Sequence, residues 1–272
     1  MIKPILFFAV AIACPAQTIK FNPVERAFVE NVMANAPRKN DLRREAVRKS
    51  FEDLGCTTAN LKVRGAKLPN PECVLPGESK DQVIVGAHFD QTEGSRCVVD
   101  NWTGAAMLPL LYQSLKADKH KYTFRFLAFT DEEKGLVGST AYASKMSKSD
   151  VESTMAMINL DSLGMTETKI WSSRADKTLI ELTMKLRNAM KLKVEGVNVE
   201  RVGSTDPEPF RKRQIRTLTF HSVTQENWPV LHSQRDNEEA LNLGNYYDSY
   251  RLVAAYLAYL DVALTSSGAN HV

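Results

Sequence analysis

The sequence predicts an α/β fold in three layers, a mostly parallel, mixed sheet with helices on both faces. Two observations carry this. First, residues 83–87, Val-Ile-Val-Gly-Ala, form a continuous apolar run with no polar alternation, and residues 123–129 and 155–160 repeat that character. Such runs mark strands buried on both faces rather than half-solvated ones. Second, helical stretches separate them, at 103–116, with a Gly-Ala-Ala start and an apolar stripe, and at 138–148. Strands alternating with helices build βαβ units, whose crossovers make a parallel sheet.

The remaining elements follow in chain order. Met1-Ile2-Lys3 and the apolar run 5–13 read as a secretory leader, cleaved after Ala16, with small residues at Cys14 and Ala16. The run is too short to span a bilayer. Ala11-Ile12-Ala13-Cys14 also faintly resembles a lipoprotein signal, which would place a lipid anchor at Cys14, and an uncleaved leader is a further alternative. Residues 17–272 then form a single domain, because no repeat and no Pro/Gly/Ser linker divides them. A helix is expected over 22–36, stopped by Pro37, and a second over 41–54 capped by Asp41. Residues 61–66 alternate as a short strand, 169–171 form another, 177–190 form a clear amphipathic helix, 217–220 a strand and 246–264 the last helix. Residues 197–210, rich in Gly, Ser, Asp and Pro, are the expected functional loop.

Composition narrows the function classes. Of the residues, 43% are hydrophobic and 25% charged, which is ordinary globular usage. Thirty-five Lys and Arg against 32 Asp and Glu give +3, too even a balance for a nucleic-acid binder, and no basic block argues otherwise. With no second long apolar segment, the mature chain is expected outside the cytoplasm, in solution or lipid-tethered. Three cysteines lie beyond the leader, and an oxidising compartment favours one disulfide. Cys56 and Cys73 are the expected pair, leaving Cys97 as a small, partly buried residue. No Cys-x-x-Cys occurs, which excludes a zinc knot.

Metal-competent residues end the buried strands: His88 and Asp90 after the first, Glu132 and Glu133 after the second, Asp161 after the third. The carboxyl ends of parallel strands form the ligand crevice of such folds, so these groups are placed to converge. Singly, each has a plain alternative in a solvated turn or a helix cap. Together with Asp100-Asn101 and Gly104, Gly135-Leu136-Val137-Gly138-Ser139, Asn159-Leu160-Asp161 and His232-Ser233-x-x-Asp236, their order resembles the M28 zinc metallopeptidases, the aminopeptidase-type di-zinc exopeptidases.

By that resemblance two Zn²⁺ are expected. His88 and Glu133 would bind one, Asp161 and His232 the other, and Asp100 would bridge them. Glu132 would be the general base, and Asp90 would orient His88 by accepting its second ring N–H. His221, at a strand end, is the alternative to His232 as last ligand. His120, between two lysines, and His271 in the tail are expected to face solvent. Trp102 and Trp228 are pocket candidates set against plain packing. Many relatives carry Ser-Asp-His ahead of a Phe in the loop before the last ligand, whereas this chain has Pro207 at the histidine position of Thr205-Asp206-Pro207. The function the resemblance implies is a secreted zinc-dependent exopeptidase, an aminopeptidase that removes N-terminal residues from peptides. A carboxypeptidase, a glutaminyl cyclase on the same fold and a non-catalytic binding domain are the alternatives. Removing Lys3 and the five crevice acids leaves 34 basic against 27 acidic residues, +7, so the site is expected to be an acidic well in a basic body.

Overall fold

The computed structural model describes residues 21–199 and 203–264. The expected leader, Cys14 and His271 lie outside them. Two helices, α1 (Arg26–Ala34) and α2 (Asn40–Asp53), precede a hairpin of β1 (Thr58–Leu61) and β2 (Asn70–Leu75). Then come β3 (Gln82–His88), α3 (Thr103–Leu115), β4 (Thr123–Phe129), α4 (Val137–Lys145), α5 (Lys148–Ser153) and β5 (Thr154–Leu160). The chain continues through β6 (Lys169–Ile170), α6 (Lys177–Met190), β7 (Glu195–Gly196), α7 (Glu208–Arg211), β8 (Thr217–His221) and α8 (Leu243–Ala263).

The eight strands form one sheet in the order β1-β2-β4-β3-β5-β8-β6-β7. Its centre, β4-β3-β5-β8, is parallel. The β1–β2 hairpin and β6 add antiparallel neighbours at the two sides. The alternation of strand side chains explains the unbroken apolar runs. Val83, Val85 and Ala87 face one core with α1, α2, α3, α6 and α8, while Ile84, Leu127, Phe129 and Met157 face a second with Ala143, Met146, Phe210 and Ile215. Gly86 interrupts the β3 run because a Cβ there would lie 2.4 Å from the Phe129 ring.

Several boundaries differ from expectation. The first helix is narrower, and Lys39 rather than Asp41 stands at the N-cap of α2, with Asp41 in its first turn. The helix expected over 138–148 ends before Met146, and Ser147 starts α5 through a reciprocal capping box with Asp150. The strand expected at 61–66 is β1, shifted back to Thr58–Leu61, and β2 has no counterpart in the apolar pattern. Cys56 and Cys73 are bonded, their Cα atoms 6.1 Å apart, and the bridge ties the segment before β1 to β2. Closing a loop of this length stabilises the fold by about 3 kcal/mol in the chain-entropy account. Cys97 is free and fully buried. No helix among the described residues is long and apolar enough to cross a membrane.

Candidate metal centre

From β3 the chain proceeds to β4 on one side, and from β5 it runs on to β6, β7 and β8, all on the other, so the connections diverge between β3 and β5. A crevice opens at that switch point, outside the carboxyl ends of the strands. His88 is the last residue of β3, Asp161 follows β5, and Glu132 and Glu133 occupy the turn after β4. Asp100 enters from an irregular turn, 98–102, that leads into α3 and contains a cis Asp100–Asn101 peptide. His232 comes from the irregular stretch between β8 and α8.

These side chains converge. His88 Nε2 lies 3.1 Å from Asp100 Oδ1 and 3.8 Å from Asp161 Oδ1. His232 Nε2 lies 3.1 Å from Asp100 Oδ2 and 3.2 Å from Glu133 Oε2. The Asp100 carboxylate thus offers one oxygen to each imidazole. Ligand atoms of His88, Asp100 and Glu133 fall within 4.8 Å of one another, as do those of His88, Glu132 and Asp161. His88 approaches Asp161 as well as Asp100, and His232 approaches Glu133 as well as Asp100, so the shared Asp100 carboxylate stands between the two imidazoles. β3 lies between β4 and β5, so the strand ends set His88 beside both Asp161 and the turn of Glu132 and Glu133, and the loop-borne His232 reaches Glu133 and the second oxygen of Asp100.

Asp90 lies between His88 and the turn after β4. Its Oδ1 stands 3.5 Å from His88 Nδ1, a close approach rather than a formed hydrogen bond. Instead the carboxylate accepts the Glu132 amide at 3.0 Å and the Glu133 amide at 3.2 Å, fixing the turn after β4 to the end of β3. Thr205, absent from the sequence-based candidates although its loop was singled out, donates to Asp161 Oδ2 at 2.5 Å and accepts from Asn159 Nδ2 at 3.1 Å. Ser162 donates to Asp161 Oδ1 at 3.0 Å. Both oxygens of Asp161 are therefore oriented.

Burial opposes charge on His88 most strongly, but Glu132 and then Asp100, Asp161 and Asp90 outweigh it and raise its pKa well above the usual range. Burial likewise pushes the carboxyls of Glu132 and Glu133 upward. Asp206, fully buried, is pushed up to about 7 by desolvation. His232 is held at about 11 by its bonds to Asp100 and Glu133. The centre carries more negative charge than its two imidazoles balance, and Glu133 Oε1 is buried with no hydrogen-bond partner. Imidazole nitrogen and carboxylate oxygen are the donors that zinc takes, and a shared carboxylate suits a metal pair. The residues present fit such ions.

The centre floors a pocket of about 250 Å³ whose walls include Leu136, Trp171, Val199, Val223 and Leu231. His221 also lines it, but its Nδ1 accepts the Val223 amide at 3.1 Å and burial lowers its pKa to about 4. It stands outside the carboxylate cluster that His232 joins. Trp102 is buried against the Arg43 guanidinium, 5.7 Å from its ring centroid, and Trp228 is exposed, so neither lines the pocket; the aromatic wall is Trp171. His120 is buried rather than solvent-facing, held between Asp261 and the Leu115 carbonyl.

A sequence profile of peptidase family M28 matches residues 73–257. Aminopeptidase YwaD of Bacillus subtilis (strain 168) is 27% identical over 182 residues, covering 64% of this chain and 40% of the relative. A probable leucine aminopeptidase of Arthroderma otae is 24% identical over 218 residues, covering 72% and 61%. The chain thus spans less than two thirds of these relatives. Among solved structures, the LapA aminopeptidase of Legionella pneumophila aligns with a TM-score of 0.76 at 18% identity, covering 88% of this chain and 71% of that one. The glutaminyl cyclase of Porphyromonas gingivalis aligns at 0.68 with 18% identity, covering 85% and 96%.

Proposed function

As a member of peptidase family M28, the chain carries a site that we propose to be that of a zinc-dependent aminopeptidase, releasing the N-terminal residue of peptides outside the cytoplasm. The observation that carries this reading is the convergence of His88, Asp161, Glu133 and His232 around one shared carboxylate, Asp100, at the base of a pocket. In this reading His88 and Asp161 hold one ion, His232 and Glu133 the other, and Asp100 both. When bound, zinc supplies Lewis acidity toward the scissile carbonyl and acidifies water. Glu132 takes the proton of the attacking water on its carboxylate and passes it to the leaving amine, a task suited to a carboxyl whose pKa burial raises. Asp90 keeps Glu132 in place through its amide.

The matched relatives are aminopeptidases, which favours the amino end of the substrate. The pocket is acidic and, among the described residues, no Lys or Arg lines it to receive a terminal carboxylate. The Cys56–Cys73 bond supports an oxidising compartment. The second reading, a glutaminyl cyclase, draws on the near-complete coverage of the cyclase structure. A panel of unblocked peptides incubated with zinc-loaded protein separates these readings. The proposal expects free N-terminal amino acids. Ammonia from an N-terminal Gln peptide without amino-acid release would establish the cyclase, and release from the C-terminus would establish a carboxypeptidase.

A further inference from the structure

Asp100 sits in a turn held by two fully buried charged residues, one at the carbonyls of residues 96 and 97 that lead into it and one at its own amides. Arg43 of α2 donates from Nη2 to the carbonyls of Arg96 (2.7 Å) and Cys97 (2.9 Å), from Nη1 to Phe89 (3.5 Å) and from Nε to Pro37 (3.0 Å). It spends its fork on backbone, makes no bond to a carboxylate, and stacks on Trp102. Asp236 accepts the amide of Val99 at 2.6 Å and that of Asp100 at 3.1 Å, one on each oxygen. Both side chains are wholly removed from solvent. A carboxylate and a guanidinium are costly to bury and persist only where their bonds offset desolvation.

Asp236 is four residues beyond His232, in a stretch without helix or strand of its own at that point. The same stretch is tied to the turn a second time by the Arg96–Glu238 ion pair. We propose that Arg43 and Asp236 are positioning residues: together they clamp the turn that carries Asp100, and Asp236 yokes it to the loop that carries His232. The shared carboxylate and the loop-borne imidazole then keep their 3.1 Å separation without support from a regular element at His232. Asn101 anchors the other flank, donating to the Leu160 carbonyl at 2.8 Å and accepting the Ser162 amide at 3.2 Å beside Asp161. Gly104 permits this, since a Cβ there would lie 2.5 Å from Asn101 Oδ1.

The inference rests on the two-metal reading of the site, and zinc titration of metal-free protein against a chromophoric chelator separates the two. Wild-type protein binding fewer than two ions would sink the two-metal reading itself. With two bound, Asp236→Asn should weaken the ion held by His232 and Glu133 by about 10- to 100-fold, because the carboxamide turns a donor toward an amide that needs an acceptor, and weaken the other, which shares Asp100 but keeps His88 and Asp161, to a clearly smaller extent. Arg43→Lys keeps the buried charge but loses the fork, and should weaken at least one ion by about tenfold. Near-UV circular dichroism of the metal-free variants should match wild type. Unchanged affinities in either folded variant, equal weakening of both ions by Asp236→Asn, or failure of either metal-free variant to fold would overturn the assignment.

Discussion

Glu132 and Glu133 are adjacent in sequence, yet the turn after β4 sends them to different tasks. Glu133 meets His232 and Asp100, while Glu132 sits near His88 and Asp161 with burial raising its pKa. Glu132→Gln preserves shape and removes the proton acceptor. It is expected to leave two zinc ions per chain and to lower kcat by about 10²- to 10⁴-fold, read by metal analysis beside peptide turnover. Loss of an ion along with turnover would make Glu132 a ligand and refute its role as base. At this scale the sequence reveals which residue types gather, because His88, Glu132, Glu133 and Asp161 follow strand ends and Asp100 and His232 complete an ordered motif. It does not reveal which imidazole shares an ion with which acid. That depends on how the ends of β4, β3 and β5 lie together and on where an irregular loop delivers His232. Asp90 and Thr205 illustrate the same limit, since their partners are backbone amides or an acid 44 residues away.

Among the elements, legibility follows the strength of the apolar period. The helix expected over 177–190 is α6, residue for residue, since its stripe is clear and Asp176 caps it by accepting from Thr178 and Leu179. β2 escaped notice because Asn70, Pro71 and Glu72 open it with polar and imino residues; the buried Glu72 is satisfied by Arg125 at 2.9 Å, a contact that exists only once β2 lies against β4. His120 was misplaced for a similar reason. Flanking lysines point to solvent, but Asp261 of α8 accepts from the amides of Lys121 (3.0 Å) and Tyr122 (2.8 Å) and stands 3.3 Å from His120 Nδ1. This knot docks α8 against the turn before β4. Burial opposes charge on His120, yet Asp261 outweighs it and raises the pKa. A raised folded-state pKa means that the stabilisation is fully present below the unfolded value near 6.5 and lost as pH rises through the folded value. Asp261→Asn should therefore cost about 1–3 kcal/mol in urea unfolding at pH 5.5. The gap to wild type should narrow toward pH 9, and a gap that widens over that range would contradict the assignment.

For the whole molecule, the near-even charge of +3 is an average over unlike regions. Asp90, Asp100, Glu132, Glu133 and Asp161 gather in one crevice, with Asp206 buried behind them, while the basic surplus is spread over the rest of the chain. The three-layer architecture was legible because buried parallel strands are written as apolar runs, and that architecture is what brings the ends of β4 and β5, 41 and 72 residues beyond that of β3, to one place. Two divalent ions would offset the crowded carboxylates, so metal and activity should rise together. The central claim is tested most directly by titrating metal-free protein with zinc while following amino-acid release from an unblocked peptide. The account predicts no release without metal and full release as the ratio reaches two ions per chain. Equal release from the metal-free protein, or none with two ions bound, would contradict it.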